Sequence, residues 1–403
     1  MKNKILFCGE LPRRDNQTGS ATVNLEIISR LVKKDFEIAV LSPIFNNEEI
    51  LDLGFPVNFL KTKYFRSKGF GDILGRISFW GQVSKFLKDK NFEPDLIHID
   101  ANPYLCRIKP ETPKVLFLHG SEKAGRLNPL RLIKSPYSTI CSLAGIHYER
   151  LAFYDKNIRR IFINSRYSKN VVVSQYKLGR ETADKISAVK LGFNTGRFGK
   201  TEMSGADAKK IIFDKFNIQN NKINLFLLFV GGVAIHKGQR ELIDSMAVLT
   251  KEFPDVGLLI AGKDAGDMDN CREAITSHNL NNNVFLLGSV DDRDLGIIFK
   301  GTDIYASAAM EGFGINQVEA MAMGLPLVAR DKGAVSELFE NGKQGFLANN
   351  RNDFIEKLKL LIKDGSLRTA MGEKAKKHSY KKFSWDKLGE AISDSYSEIL
   401  GSR

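Results

Sequence analysis

Short, continuous apolar segments that alternate with amphipathic helical patterns constrain the fold of this chain more than any other feature. The segments lie at residues 5–7, 38–41, 96–99, 115–118, 161–163 and 186–189 in the first half, and at 225–230, 258–261, 284–287, 304–306, 325–329 and 345–347 in the second. Continuous apolar runs are typical of strands that are buried on both faces of a parallel sheet. Between them lie amphipathic patterns such as residues 20–34, which predict helices.

Two consecutive α/β series of this kind predict two Rossmann-like domains, each with a doubly wound parallel sheet. A length of 403 residues also suits two domains of ~200 residues better than one core. Glycines and polar residues cluster within 192–222, so we place the boundary between residues 195 and 196. Because ligands bind beyond the carboxyl ends of parallel strands, we expect the two domains to face each other across a cleft.

Positive charge is concentrated in the first half of the sequence. The chain has 60 Lys and Arg residues against 47 Asp and Glu residues. Residues 1–195 have 32 basic and 19 acidic residues, whereas residues 196–403 have 28 of each. This imbalance predicts an anionic partner for the first half: phospholipid, a phosphate-bearing acceptor or nucleic acid.

Composition argues against several protein classes. The four cysteines are scattered and form no Cys-x-x-Cys pair, which argues against a disulfide scaffold or a zinc module. No stretch approaches the ~18 consecutive apolar residues that cross a bilayer, and the apolar start of the chain is too short for a signal-peptide core. The expectation is a cytoplasmic enzyme.

The most informative motif is the segment 308–326, whose centre reads Glu-Gly-Phe-Gly-Ile at 311–315. A strand leads into this glycine loop, and a helix follows that Gly324 and Pro326 end. The glycines allow backbone amides to approach a ligand closely, and the helix N-terminus adds free N–H groups and a positive dipole. The segment therefore predicts a diphosphate-binding loop.

Glu311 and Glu319 stand at either end of this loop. On a continuous helix they would be ~12 Å apart, farther than the ~5–5.5 Å or ~6.5–9.5 Å between the carboxylates of retaining or inverting glycosidases. We therefore expect them to hold different parts of one ligand, since a carboxylate accepts two charge-assisted hydrogen bonds from adjacent sugar hydroxyls. The alternative is that Glu319 only offsets the helix dipole and Glu311 is a loop charge; the intervening Gly-Phe-Gly favours the ligand.

With seven residues between Glu311 and Glu319, this segment closely resembles the E-x7-E motif of family 4 glycosyltransferases, retaining enzymes of the GT-B fold that use nucleotide sugars. The resemblance extends over nearly the whole chain, including residues 192–198, 228–238, 258–262, 284–290 and 383–385. In the family, the last helix crosses back onto the N-terminal domain. The resemblance therefore implies domains at 1–195 and 196–385 and a returning helix at 386–403.

The resemblance implies a role for each residue of the motif. Glu311 would contact the donor sugar hydroxyls, Glu319 would contact the nucleotide ribose, and backbone amides around Gly314 and Ile315 would hold the diphosphate. Lys237 would neutralise the leaving phosphate, where negative charge develops. The further donor-binding residues that the resemblance implies are Gly312, Phe313, Gly231, Gly232, Gly262 and Val290.

The chain departs from the family at Gly232, where many relatives have an arginine that shares the task of Lys237. Either Lys237 acts alone, or His236, Arg240 or Arg330 compensates. The Lys-x-Gly-Gly-Leu sequence of the glycogen and starch synthase branch is also absent, which argues against a glucan polymerase.

Two residues of the first half resemble family positions. Gly19 opens a helix after the first strand and resembles the glycine loop that faces donor and acceptor, although a Ser or Thr beside it is usually a plain N-cap. His119 follows a buried strand, where family members place a histidine near the reacting sugar. A packed or capping histidine is the alternative for His119.

A segment of the first half mixes basic and aromatic or aliphatic side chains. Its members are Lys61, Lys63, Arg66, Lys68, Arg76, Lys85, Lys88 and Lys90, with Tyr64, Phe65, Phe70, Ile73, Leu74, Phe79, Trp80 and Phe86 among them and Arg126, Arg131 and Lys134 as an extension. Such a mixture is typical of a segment at a membrane surface, where each basic residue adds ~1 kcal/mol near anionic headgroups. The alternative is a helix packed by its aromatic face, with solvated lysines outside.

Three other hypotheses compete with a GT-B glycosyltransferase. A metal-dependent GT-A enzyme needs an Asp-x-Asp, which residues 267–269 and 292–294 match, but Asp292 and Asp294 are better explained as first-turn charges of a helix. A nucleotide-sugar epimerase would share the fold and the diphosphate seat but lack an acceptor. A nucleic-acid-binding protein with a sugar-nucleotide sensor domain would use the basic half, but no nucleic-acid motif supports it.

The residues and the resemblance together predict a retaining glycosyltransferase that transfers a hexose from a UDP- or GDP-sugar to a glycan or lipid-linked acceptor, in cell-surface polysaccharide or glycolipid synthesis. The basic N-terminal domain would bind the acceptor, and the second domain would bind the nucleotide sugar. We expect no cofactor, no metal requirement and no nucleic-acid partner. The predicted location is the cytoplasm, at the inner face of the cytoplasmic membrane.

Overall fold

The computed structural model describes residues 2–12, 19–44, 54–61, 70–101, 103–109, 111–120, 136–198 and 203–401. The chain divides into two compact units. Unit 1 comprises Met1–Leu191 and Trp385–Arg403, and unit 2 comprises Gly192–Ser384. Each unit has its own parallel sheet with helices packed on it.

Unit 1 is built on a parallel sheet with the strand order β3-β2-β1-β4-β5-β6-β7. The strands are β1 (Asn3–Cys8), β2 (Phe36–Ile44), β3 (Asn58–Lys61), β4 (Leu96–Asp100), β5 (Lys114–Leu118), β6 (Ile158–Ile163) and β7 (Ile186–Ala188). The helices are α1 (Gly19–Leu31), α2 (Phe70–Asp89), α3 (Pro136–Tyr154), α4 (Arg166–Tyr176) and α5 (Arg180–Asp184). Every residue of β4 and β5 is buried, as the continuous apolar runs predict.

Unit 2 repeats this architecture with the strand order β10-β9-β8-β11-β12-β13. The strands are β8 (Leu225–Val230), β9 (Val256–Ala261), β10 (Val284–Gly288), β11 (Ile304–Ser307), β12 (Leu327–Arg330) and β13 (Gly345–Ala348). The helices are α6 (Gly205–Lys215), α7 (Gln239–Glu252), α8 (Met268–Ser277), α9 (Asp292–Gly301), α10 (Ile315–Ala322), α11 (Arg351–Lys363) and α12 (Gly365–Lys382).

The strand order of each sheet reverses at one point. In unit 1 the reversal lies between β1 and β4, and in unit 2 it lies between β8 and β11. At such a point the loops beyond the carboxyl ends of the two central strands leave in opposite directions and open a crevice. In unit 2, the crevice is therefore bounded by the segments that follow Val230 and Ser307, which contain Lys237 and Glu311.

The last helix, α13 (Trp385–Gly401), packs on α1 of unit 1. Arg30 of α1 donates from Nε to Asp386 Oδ1 at 2.6 Å. A Cβ on Gly389 would lie 2.9 Å from the Cβ of Arg30, so the two helices meet at a position where only glycine fits without adjustment. The return of the last helix to the N-terminal unit, which the family resemblance implies, is confirmed.

The fold prediction is confirmed: both units are parallel-sheet α/β structures of the Rossmann type, as in the GT-B fold. Eleven of the predicted apolar segments lie at strands as expected. The segment 325–329 is shifted, because the amide of Leu325 still donates to Ala320 O at the end of α10, and the strand begins at Leu327. Strand β3 was missed, since Asn-Phe-Leu-Lys is too short and too polar to stand out.

Helix α2 contains most of the described part of the basic and aromatic segment, whereas Lys61 ends β3 and Lys90 directly follows α2. Phe79 and Leu87 are buried in the core of unit 1, and Lys85, Lys88 and Lys90 are exposed, which is the packed-helix alternative. Trp80, however, is 39% exposed, and Ile77 is 43% exposed on the same helix. Residues 62–69 and 121–135, which hold Lys63, Tyr64, Phe65, Arg66, Lys68, Arg126, Arg131 and Lys134, lie outside the described residues.

Candidate functional site

The candidate site of unit 2 lies where the segments after β8 and β11 meet. The backbone amide of Met310 donates to His236 O at 3.2 Å, which joins the two segments directly. Beside this contact, Lys237 Nζ lies 2.6 Å from Glu311 Oε1. The two side chains are 24% and 22% exposed, so the ion pair is half-buried but open to a ligand. The structure therefore brings together the two residues that the sequence analysis assigned to the sugar and to the leaving phosphate.

The start of α10 has the backbone geometry that an anion requires. Gly314 is the N-cap residue with φ of 97°, a left-handed conformation that side chains rarely adopt. Within the described part of the chain, no side chain caps this helix, so the amides of Ile315 and Asn316 keep the N–H groups and the positive dipole end of a helix N-terminus. The side chain of Asn316 donates to Val230 O at 2.9 Å, which ties this N-terminus to the end of β8.

Glu319 lies one turn farther along α10 and is 3% exposed. Tyr305 of β11 is fully buried. Burial raises the pKa of its phenol well above the usual value, and the negative charges of Glu311 and Glu319 raise it further. Both carboxylates therefore act on the same phenol, and Tyr305 stays protonated. Its hydroxyl lies 3.3 Å from Val230 O, at the switch point of the sheet.

The remaining predicted donor-binding residues lie along the carboxyl edge of the same sheet. The amide of Gly231 donates to Ala261 O at 2.9 Å, and the amide of Gly262 donates to Gly288 O at 2.7 Å. A Cβ on Gly262 would lie 1.9 Å from Gly231 O, so the segments after β8 and β9 approach too closely for any side chain there. Gly232 accepts from Gln239 Nε2 at 2.9 Å, and Val290 is half-buried beyond β10.

The structure identifies which cation contacts Glu311 in the absence of the family arginine. Arg330 contacts Glu241 and donates to Ala348 O and Asn349 O, and Arg240 contacts Asp244. Burial lowers the pKa of His236, and the charge of Lys237 lowers it further, which favours the neutral imidazole. Among the described residues, Lys237 is therefore the charged group paired with Glu311.

In unit 1, His119 follows β5 and belongs to a polar network. Its Nε2 lies 2.7 Å from Asp100 Oδ1, and the buried Asp100 side chain also accepts from Asn24 Nδ2 at 2.7 Å. The carbonyl of His119 accepts from Asn164 Nδ2 at 3.0 Å. With Nε2 donating to Asp100, the tautomer of the neutral imidazole has Nδ1 as its hydrogen-bond acceptor.

Gly19 occupies a different environment from the unit 2 glycines. It begins α1 and is exposed, and a Cβ there would meet no atom within 4 Å. Sterics among the described residues therefore give no reason for glycine at this position, and a ligand role for Gly19 stays a prediction.

Several polar residues of these sites were not identified from the sequence. Asn316, Tyr305, Asp100 and Asn24 each contact a strand end or a predicted site residue. The sequence did contain a signal for Asp100, because this residue ends a mostly apolar strand. The same kind of position, just after an apolar strand, pointed to His119. Asn24 had none, since a polar residue within a helix is normally solvated.

The Asp-x-Asp motif at 292–294, which would suggest a metal-dependent enzyme, has a structural role at the start of a helix. Asp292 and Asp294 lie in the first turn of α9, where Asp291 caps the helix by accepting from the amide of Asp294. Their explanation as helix-start charges is confirmed. Over the described parts of the chain, no group of three or more His, Cys, Asp or Glu side chains is arranged to hold a metal ion. The expectation of a metal-independent reaction stays a prediction.

Comparison with known proteins finds a family match in the second half of the chain. Residues 210–378 match the family model described as glycosyl transferases group 1. This segment therefore resembles the glycosyl transferases group 1 family. It contains Lys237, Glu311, Glu319 and the loop between the two glutamates, and it lies wholly within unit 2. The match supports the predicted resemblance to a glycosyltransferase, whereas family 4, the retaining mechanism and the role of the E-x7-E motif stay predictions.

The proteins that this chain is similar to align with one or both of its units. Spore coat protein SA of Bacillus subtilis is 22% identical over 422 aligned residues, which cover 98% of this chain and 99% of that protein. The capsular polysaccharide biosynthesis glycosyltransferase CapM of Staphylococcus aureus is 27% identical over 214 residues, 50% of this chain and 56% of CapM. The crystal structure of Anabaena Alr3699/HepE in complex with UDP and glucose has a TM-score of 0.72 at 19% identity, with 98% and 99% of the two chains covered.

No helix among the residues that the structure describes has the length and apolar character needed to span a bilayer.

Proposed function

We propose that this protein is a retaining glycosyltransferase that takes its sugar from a nucleotide-activated donor bound mainly by unit 2. The observation that carries the proposal is the contact of 2.6 Å between Lys237 Nζ and Glu311 Oε1 beside the uncapped N-terminus of α10. A cation, a sugar-binding carboxylate and the backbone amides of a helix N-terminus thereby lie together at the carboxyl edge of the sheet, beyond β8 and β11. The UDP and glucose in the similar Anabaena structure support a UDP-sugar donor.

Each part of a nucleotide sugar has a matching group in this arrangement. The amides of Gly314 and Ile315 bind the diphosphate at the helix N-terminus, with Gly312 and Phe313 shaping the loop. Glu311 accepts hydrogen bonds from adjacent sugar hydroxyls, and Glu319 accepts them from the ribose. An ammonium group has three donors, so Lys237 contacts Glu311 and a phosphate oxygen at the same time. Gly231, Gly232, Gly262 and Val290 line the approach of the nucleotide.

In the proposed reaction, the bond between the anomeric carbon and the diphosphate oxygen breaks while the anomeric carbon bonds to the acceptor oxygen on the same face. The acceptor proton passes to the leaving diphosphate oxygen, so the products are a nucleoside diphosphate and the glycosylated acceptor. No protein nucleophile is needed. Lys237 stabilises the charge that develops on the leaving phosphate, a contribution that such preorganised groups make in many enzymes.

Unit 1 contributes the acceptor side in this proposal. Asp100 Oδ1 accepts a hydrogen bond from His119 Nε2 at 2.7 Å and so orients the ring, which leaves Nδ1 to accept a hydrogen bond from a sugar hydroxyl. The 32 basic residues of the first 195 suit an acceptor that is phosphorylated or embedded in an anionic membrane. Relatives such as CapM, named for capsular polysaccharide biosynthesis, favour a glycan or lipid-linked acceptor.

Donor binding is tested by calorimetric unfolding with UDP, GDP, ADP and their sugars. Saturation to ~100 times Kd stabilises a folded unit by ~2.7 kcal/mol, or roughly 5–10 °C for a unit of this size. We expect one nucleotide series to raise the unfolding temperature by this amount, and Glu319→Gln to reduce the shift. If no nucleoside diphosphate or sugar nucleotide raises it, the donor proposal is wrong. Turnover of the preferred donor without any acceptor would instead favour an epimerase.

Membrane-surface location is a separate part of the proposal, supported by the exposed Trp80 and Ile77 beside Lys85 and Lys88 on α2. We expect the protein to sediment with vesicles rich in phosphatidylglycerol, less so in 0.5 M salt, because surface attraction is screened within about one Debye length. Trp80→Ser is expected to weaken binding, whereas Leu360→Ser, at a 53% exposed leucine of unit 2, is the control. Absence of binding at low salt would refute this location.

A further inference from the structure

Unit 2 contains a basic cavity that the donor proposal does not use. It has a volume of about 680 Å³ and lies over the start of α7, beyond the carboxyl end of β12. We propose that this cavity binds the phosphate group of an amphipathic molecule. Lys237 and Glu311 do not line it, although His236 and Met310, their neighbours in sequence, do.

Cations outnumber carboxylates in the cavity wall. The charged residues are Arg240, Arg330, Lys332 and Arg351, with Glu241 and Asp244. Glu241 contacts both Arg330 and Lys332, the latter at 2.9 Å. Asp244 contacts Arg240 at 3.1 Å and Arg351 at 3.9 Å. Each carboxylate thus serves two cations, and the wall keeps an excess of two positive charges, which matches the charge of about −1.5 to −2 on a phosphomonoester near neutral pH.

Glu241 contacts both Arg330 and Lys332 and so keeps these two cations close together, although its single charge offsets only one of theirs. Burial lowers the pKa of Lys332, and the charge of Arg330 lowers it further, so the two cations repel each other across Glu241. An anion bound between them would relieve this repulsion. Arginine side chains suit this task, because the planar guanidinium offers paired donors to phosphate oxygens.

The backbone adds to the positive electrostatic potential of the cavity. Gly238, Arg240 and Glu241 belong to the start of α7, and Arg351 is the first residue of α11, and all four line the cavity. The positive dipole ends of two helices of 14 and 13 residues therefore contribute to one cavity. Gly238 has no side chain to cap α7, whereas Asn350 caps α11.

An apolar rim distinguishes the preferred ligand from a simple ion. Ile235 is 79% exposed and Met310 is 52% exposed, and both line the cavity. They are the most and the fourth most exposed of the large hydrophobic side chains of unit 2 among the described residues. A cavity with basic side chains in its wall and exposed apolar side chains at its rim fits a phosphate that is attached to an apolar group, as in the headgroup region of a lipid phosphate.

The test follows the methyl resonance of Met310 in the full-length protein labelled with [methyl-13C]methionine. The chain has eight methionines, and Met310→Leu identifies the resonance. Inorganic phosphate is titrated against sodium chloride of equal ionic strength. We expect a saturable shift of Met310 that persists in Lys237→Met, which separates this cavity from the diphosphate seat and makes the outcome independent of the proposed function.

The decisive variant is Lys332→Gln combined with Arg240→Gln, since both side chains are exposed enough to replace without loss of folding. We expect it to raise the Kd for phosphate at least ~10-fold, as the loss of hydrogen bonds to a charged group implies. The matched control, Lys343→Gln with Lys374→Gln, removes the same charge at exposed positions outside the cavity. An unchanged Met310 resonance, or equal weakening by the control, would overturn the proposal.

A second titration tests the apolar part of the ligand. Dihexanoyl phosphatidic acid is compared with inorganic phosphate and with dihexanoyl phosphatidylcholine, all below the concentrations at which micelles form. We expect phosphatidic acid to bind more tightly than phosphate, and Ile235→Ser to remove that advantage while leaving the binding of inorganic phosphate unchanged. If phosphate and phosphatidic acid bind equally well, the amphipathic ligand is ruled out and free phosphate is the source.

Discussion

Glu311→Gln and Lys237→Met are each expected to reduce the rate of sugar transfer at least ~100-fold while leaving the fold intact. The two side chains form a half-buried ion pair at 2.6 Å, at the point where the donor sugar and the leaving phosphate would meet. Removing Lys237 leaves the developing phosphate charge without its cation. Removing the charge of Glu311 weakens the bonds to the sugar hydroxyls and frees Lys237 from its orientation.

The measurement is the initial rate of transfer from the donor that the unfolding screen identifies, with circular dichroism and unfolding temperature as checks on the fold. Glu340→Gln and Lys343→Gln are the matched controls, because they break another Lys–Glu pair of unit 2, at 2.5 Å, that is 63% and 58% exposed. These controls should retain near-normal rates. A rate within threefold of the wild type in Glu311→Gln or Lys237→Met would refute the role assigned to that residue.

His98 is expected to make the stability of unit 1 strongly dependent on pH. The ring is fully buried, stacks on Phe7 at 4.3 Å between centroids, and contacts the Tyr396 hydroxyl through Nδ1 at 2.6 Å. Its Nε2 has no hydrogen-bond partner among the described residues. Burial lowers the pKa of His98 to about 4, against an ordinary value of 6.5.

The sign follows from proton uptake. Above pH 6.5, His98 is neutral in both the folded and the unfolded chain. Between pH 6.5 and about 4, the unfolded chain binds a proton that the folded chain excludes, so the free energy of unfolding falls as the pH is lowered. A pKa difference of this size corresponds to about 3 kcal/mol. Stability is therefore fully present above pH 6.5 and is lost progressively below it.

Tryptophan fluorescence can follow this loss selectively, because both tryptophans of the chain, Trp80 and Trp385, belong to unit 1. Urea unfolding is measured from pH 7 to pH 4.5 for the wild type, for His98→Phe, and for His147→Gln, which replaces an exposed histidine of the same unit. We expect His98→Phe to be less stable at pH 7, since Tyr396 loses its partner, but to lose less stability toward low pH. Equal pH dependence in the wild type and His98→Phe would contradict the explanation.

Sequence patterns were sufficient for the architecture because each depends on local physical chemistry. A strand buried on both faces must be apolar at every position, which made β4 and β5 recognisable, and a helix that begins with a left-handed residue needs glycine there, which made the start of α10 recognisable. Strand β3 failed the same test, since its four residues begin and end with polar side chains.

The pairing of particular side chains could not be predicted in the same way. Lys237 and Glu311 are 74 residues apart, Arg330 and Glu241 are 89 apart, and Asn24 and Asp100 are 76 apart. No local pattern links such residues, because their contact depends on the strand order and on the crossing of the segments beyond it. Family resemblance pointed to Lys237 and Glu311 but not to Asp100, Asn316 or the cavity around Lys332.

By itself the sequence determined the two α/β units, the glycine loop before α10 and the excess of positive charge in the first half. Strand burial and left-handed glycine depend on neighbouring residues, and net charge is a sum over residues, so none of them requires long-range contacts. Only the tertiary structure decided which lysine contacts Glu311 and which carboxylate orients His119. It also decided that two helix N-termini and four cations line one cavity. Those outcomes depend on long-range packing, in which the reversal of strand order brings distant loops to the same edge of a sheet.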